Sequence, residues 1–179
     1  MNNYKTEWDF SLLYKNDNDP KIEQDIIEVE KNSYIFINKW KNREDYLFNE
    51  NSLKEALDEY ENWNRNYGCY SSLSYYFWLK LSVDQNNGEL KAKYNKINDI
   101  SVKISNDISF FELNLSKINK EQQDLFLKSE KLKNYNVFLF NLFNKSKYLL
   151  SIEEEKIMTL KNKTSSENWS NLIDELLSK

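Results

Sequence analysis

Along most of this 179-residue chain, apolar residues return every third or fourth position, the spacing of one face of an α-helix. The clearest run is Leu90, Tyr94, Ile97, Ile100, Ile104, Ile108, Phe111 and Leu115, which predicts one helix of about seven turns. Earlier, Ile22, Ile26, Val29, Phe36 and Trp40 form a stripe, with Ser33 a polar interruption that weakens it slightly. Leu53, Ala56, Leu57, Tyr60 and Trp63 form the next. From Tyr70 to Val83 the chain is apolar on nearly every face, the pattern of a central, buried helix. After the long run come a shorter helix from Asn119 carrying Leu125 and Leu127, and a stripe of Leu132, Tyr135, Phe138, Leu139, Leu142 and Phe143. Ile157 and Leu160 mark another helix, and Trp169, Leu172, Ile173, Leu176 and Leu177 a last amphipathic one.

Helix boundaries agree with these stripes. Asp19-Pro20 pairs an N-capping side chain with a proline whose fixed φ suits the first helical position. Ser52 with Glu55, and Ser151 with Glu154, are spaced as capping boxes, in which side chain and backbone satisfy each other's free N–H groups. Gly68 and Asn86-Asn87-Gly88 serve as interruptions. The segment Trp8 to Tyr14 precedes all of this as a short apolar arm. Two glycines and one proline leave little material for tight turns or a strand-rich fold. No fixed-length repeat and no linker divides the chain. The reading is all-α: a single multi-helix domain of about seven to eight antiparallel helices with short polar links.

Charge and chemistry narrow the function by exclusion. The 25 basic and 29 acidic residues are interspersed, without the basic stripe that nucleic-acid binding needs. No apolar stretch approaches the roughly 20 residues that span a bilayer. The start carries no apolar run of a secretion signal, and the single cysteine, Cys69, has no internal disulfide partner. A cytoplasmic protein is therefore expected, with neither nucleic acid nor membrane as partner. The chain contains no histidine, which removes His-Glu-x-x-His metal sites and Ser–His or Cys–His nucleophile pairs. Glu153-Glu154-Glu155 reads as a charged first helical turn favoured by the helix dipole, and Glu112 as a partly exposed or paired helix residue. The aromatic group Tyr67, Tyr70, Tyr75, Tyr76, Phe77 and Trp78 reads as core, with a peptide or sugar groove as the alternative, and Cys69 as a small buried residue. No catalytic, cofactor-binding or metal-binding residue is expected in this chain.

Several short motifs, in order, resemble the amino-terminal region of oligoendopeptidase F, in the thimet-oligopeptidase group of zinc metallopeptidases. Trp8-Asp9-Phe10-Ser11-Leu12-Leu13-Tyr14 is similar to that family's opening Trp-Asp-Leu-Ser-x-Leu-Tyr. Leu53-Lys54-Glu55-Ala56-Leu57-Asp58-Glu59-Tyr60-Glu61 resembles its Leu-x-x-Ala-Leu-x-x-Tyr-Glu helix, and Tyr70-Ser71-Ser72-Leu73 its Tyr-x-x-Leu. Phe110-Phe111-Glu112-Leu113 is similar to a Phe-x-Glu-Leu segment, and Leu150-Ser151-Ile152-Glu153-Glu154-Glu155 and Trp169-Ser170-Asn171-Leu172 follow in the family's order. Tyr148 stands where family members often carry a histidine that is not a zinc ligand.

The resemblance implies an amino-terminal helical domain over residues 1–179, with an arm at 1–18 and a helical body at 19–179, without the catalytic zinc domain. It implies that the complete protein is a metalloendopeptidase acting on oligopeptides, with zinc in a carboxy-terminal domain absent from this chain. It implies as partners that catalytic domain, in cis or as a separate chain, and short peptides admitted to an internal channel of which this domain is one wall. The alternative is a free-standing helical module that binds peptides or a protein without chemistry.

Overall fold

A computed structural model describes residues 8–68, 72–148 and 150–177, and among them the backbone is helical, with no strand. Nine α-helices follow in order: α1 (Pro20–Trp40), α2 (Glu50–Tyr67), α3 (Ser72–Val83), α4 (Gly88–Ile108), α5 (Phe110–Ser116), α6 (Lys120–Lys128), α7 (Asn136–Lys145), α8 (Ile152–Asn162) and α9 (Asn168–Leu177). Short 3-10 turns lie at Asp45–Leu47, Glu130–Tyr135 and Ser146–Tyr148, and a π turn at Lys163–Glu167 joins α8 to α9. The all-α reading holds. The long helix expected from Leu90 to Leu115 is α4 and α5, parted at Ser109, whose hydroxyl donates to the Asn106 carbonyl at 2.8 Å.

Side-chain caps fix most starts. Asp19 accepts the Lys21 N–H at 3.0 Å and opens α1, Asn87 accepts that of Leu90 at 3.1 Å for α4, and Asn119 that of Gln122 at 2.9 Å for α6. Ser151 and Glu154 form the expected capping box: the Glu154 N–H donates to Ser151 Oγ at 3.2 Å, and Glu154 accepts the Ser151 N–H at 2.9 Å. The Ser52 box is corrected. Asn49 accepts the N–H groups of Asn51 and Ser52, so α2 begins three residues before the expected start and Glu55 pairs with Lys39 instead.

Two hydrophobic clusters make the core. The first joins Tyr14 of the arm to Ile22 and Ile26 of α1, Leu73, Tyr76 and Phe77 of α3, and Leu90 and Ile97 of α4. The second gathers the later halves of α1 and α4 with α2, α5, α6 and α7 around Trp40, Tyr46, Leu53, Phe111 and Leu139, each fully buried. Helices α1 and α4 run through both. Between the clusters a space of about 20 Å³, lined by Ile26, Trp63, Leu73 and Ile104, is roughly the room of one water.

Tyrosine hydroxyls paired to carboxylates tie the helices together. Tyr14 donates to Asp25 at 2.6 Å, Tyr34 to Asp107 at 2.7 Å, Tyr76 to Asp17 at 2.6 Å and Tyr135 to Asp58 at 2.6 Å. Burial, reinforced by the facing carboxylates, pushes the Tyr14, Tyr76 and Tyr135 hydroxyls well above the ordinary tyrosine range, so they stay protonated donors.

Three expectations about packing are corrected. Helix α3 is peripheral: it buries Leu73, Tyr76 and Phe77 against α4 and α1, while Tyr75, Trp78 and Val83 are exposed. In α6 the buried apolar residue is Phe126; Leu125 is exposed and Leu127 half-buried. Ser33 is fully buried and central, its hydroxyl donating to the Val29 carbonyl at 2.6 Å and accepting Trp63 Nε1–H at 2.9 Å. It joins α1 to α2 across the core.

Candidate functional site

Two of the residues singled out for their chemistry, Glu112 and Glu155, line one cleft. It lies between α2, α4, α5, α7 and α8, has a volume of about 350 Å³, and is lined by Tyr60, Ile108, Glu112, Lys145, Glu155 and Thr159 among others. Glu112 comes to it from the first turn of α5, beside the buried Phe111, and its Oε1 accepts the Tyr60 hydroxyl at 2.8 Å. It is the paired, half-buried residue that its sequence context suggests. Tyr60 itself sits in the aromatic stack of the second cluster, 4.8 Å between centroids from Phe111 and 5.7 Å from Trp63.

The acidic run divides. Glu154 is spent on the cap, and its hydrogen bonds with Ser151 hold the carboxyl below the ordinary glutamate range. Glu155 turns into the cleft and accepts the Leu150 N–H at 3.0 Å, and Glu153 is exposed. The cleft therefore offers a phenol–carboxylate pair, a second carboxylate and the Lys145 ammonium. That is equipment for hydrogen bonding.

A wider depression near the end of α1 is bordered by Lys41, Arg43, Phe48, Asn114 and Lys117. Its guanidinium is already engaged, because Arg43 holds Asp45 through two bonds of 2.9 and 2.7 Å and keeps that carboxyl far below the ordinary range. Of the aromatic group, Tyr76 and Phe77 are core and Tyr67 is half-buried, whereas Tyr75 and Trp78 stack outward with centroids 5.6 Å apart. Tyr70 and Cys69 lie outside the described residues.

The most unusual surface is at the other end. Every described side chain of α9 is exposed, including Trp169, Leu172, Ile173, Leu176 and Leu177, and Ile157, Met158 and Leu160 of α8 are exposed as well. Residues 114–179 match the family model described as Oligopeptidase F. Over 156 residues, 87 % of the chain, the sequence is 24 % identical to the Oligoendopeptidase F homolog of Borreliella burgdorferi. The chain is similar to oligoendopeptidase F. It spans 25 % of the length of that curated relative, and the family match takes in α6 to α9. No solved structure matches the chain.

Zinc, which the resemblance implies for a complete oligoendopeptidase, finds no fitting ligand set among the described residues. Among the described residues no three of His, Cys, Asp and Glu stand together so as to hold a metal ion. No helix among them is long and apolar enough to cross a membrane. Two features were not legible in the sequence. The Tyr60–Glu112 bond spans 52 positions, and only its inward phase on each helix signals it. The Ser33–Trp63 bond reads in sequence as a mere gap in a stripe.

Proposed function

We propose that this chain is the amino-terminal, non-catalytic part of an oligoendopeptidase F-like zinc metallopeptidase in the cytoplasm, with an arm at 1–18 and a helical body at 19–179. It forms one wall of the channel that admits short peptides, and chemistry belongs to a zinc-bearing catalytic domain in cis or on a separate chain. The observation that carries this reading is the exposed apolar surface of α8 and α9, which falls within the stretch that matches the family model. Such a surface suits a domain that packs against a larger body, and the relative is about four times the length aligned here. The Glu112–Tyr60 cleft, open and lined by polar groups, suits a wall that contacts peptide backbone without cutting it.

The test is direct. The isolated chain is expected to bind no stoichiometric zinc and to leave an internally quenched oligopeptide intact, and adding the separately made catalytic domain restores zinc-dependent cleavage. One tightly bound zinc together with peptidase turnover in the pure chain would overturn the proposal.

A further inference from the structure

Helix α8, the π turn and α9 are one unbroken helical rod from Ile152 to Leu177. In an uninterrupted α-helix Trp169, twelve residues beyond Ile157, would lie about 120° around the axis from it. An i→i+5 turn carries one residue more than an α-turn, so it sets the following helix back by about 100°. Ile157, Leu160, Trp169, Leu172, Ile173 and Leu176 thereby fall in a single stripe roughly 120° wide and about 28 Å long. Hydroxyls hold the widened turn: Ser165 donates to the Lys161 carbonyl at 2.8 Å, Thr164 to the same oxygen at 3.2 Å, and Ser170 to the Ser166 carbonyl at 3.0 Å.

The rod is also mounted with its stripe turned away from the body of the domain. The side of α8 that meets the body of the domain, against α4, is the Glu155 and Thr159 side, which lines the cleft. Those two are the half-buried residues of α8, and every other described side chain of the rod is exposed. By helical spacing both lie roughly 160° from Ile157. An amphipathic helix that seated itself by its own apolar face would have the opposite orientation. Here the side bearing Glu155 and Thr159 is docked and the stripe is left facing away.

Two copies of this chain do not cover the stripe. By the same spacing Lys161 sits on it one turn beyond Ile157 and Glu153 one turn before Ile157, and both are exposed. Parallel pairing sets Lys161 on Lys161. Antiparallel pairing centred on the stripe sets Lys161 on Leu172, and the register that brings Lys161 onto Glu153 centres on Ile157 and leaves α9 uncovered. The surface asks for an apolar groove with a carboxylate facing Lys161. The relative carries about three quarters of its length beyond the part aligned here, enough to supply such a groove.

We infer that this stripe, brought into line by the π turn Lys163–Glu167, is the surface by which the domain docks on the catalytic domain of its peptidase, in an apolar groove bearing an acidic residue opposite Lys161. The inference rests on the function proposed above. It is tested by sedimentation and titration of the full chain with the catalytic domain as a separate chain, reading binding and recovered peptide cleavage together. The unaltered chain is expected to bind. The double variant Leu172→Glu/Ile173→Glu and the deletion of Ser165, which returns the turn to α-helical register, each weaken binding at least about 100-fold. Lys161→Glu weakens it about tenfold, and helical circular dichroism stays unchanged in all three, because no residue of α9 belongs to either core cluster. If the double variant binds as the unaltered chain does, the docking inference falls while the proposed function stands. If the unaltered chain does not bind at all, the proposed function falls with it. A self-associated chain that the double variant makes monomeric assigns the stripe to a second copy and overturns the inference.

Discussion

Ser33 shows how much one small polar residue settles in a helical core. It has no exposed surface, and its hydroxyl sits between the Val29 carbonyl and the indole N–H of Trp63, so it satisfies a buried donor. A net hydrogen bond contributes only about 1 kcal/mol, but a buried donor left without a partner costs roughly 1–3 kcal/mol. Ser33→Ala is therefore expected to destabilise the chain by about 1–3 kcal/mol in urea unfolding. Adding Trp63→Phe, which removes the stranded donor, should cost less in the Ser33→Ala background than in the native one. Equal costs in the two backgrounds would show that the bond contributes nothing. The Tyr–carboxylate pairs work differently. They lie at half-buried edges, and burial keeps the tyrosines protonated, so they join helices without placing a second charge beside the carboxylate.

At the scale of the element, Gly68 ends α2 in extended backbone with a negative φ, so its role is space and not left-handed geometry. A Cβ there would meet the Asn64 carbonyl oxygen at 2.5 Å, and the Asn64 side chain closer still. The carbonyl cannot move without distorting the last turn of the helix. Gly68→Ala is thus expected to lower stability by about 1–3 kcal/mol, against the modest gain that removing a glycine brings where the backbone permits it. A thermal midpoint equal to or above the native one would contradict this. Most elements were legible in the sequence because an amphipathic helix writes its buried face as a 3.6-residue period, and caps carry their own side-chain signature. The departures have physical causes. Helix α3 is apolar on every side, so its periodicity could not say which side meets the core, and Tyr75 and Trp78 face outward. Asn49 and Ser52 both offer a capping oxygen; Asn49 satisfies two N–H groups at once and starts the helix earlier. The Glu112–Tyr60 pair depends on how α2 meets α5, which no local pattern encodes.

On the scale of the whole molecule, the two core clusters and the family resemblance divide the chain differently. Among the described residues, the buried members of the clusters run from Tyr14 to Phe143, whereas the family match covers residues 114–179. Among the described side chains of the last thirty residues, Glu155 and Thr159 are half-buried against the cleft and the others are exposed. A chain ending at residue 148 should keep a single cooperative unfolding transition. Uncovering Ile108 and Leu142 at the cleft costs on the order of 1–2 kcal/mol, which shifts the midpoint by about 2–8 °C at this size. The same truncation removes the exposed apolar stripe, so binding of a hydrophobic dye to the native state should drop. Loss of cooperativity, or a fall in midpoint several times larger, would place α8 and α9 inside the folding unit and undo the argument that they serve a partner. Stability that survives truncation, combined with docking that does not, would separate the part of the sequence that builds the domain from the part that joins it to a partner.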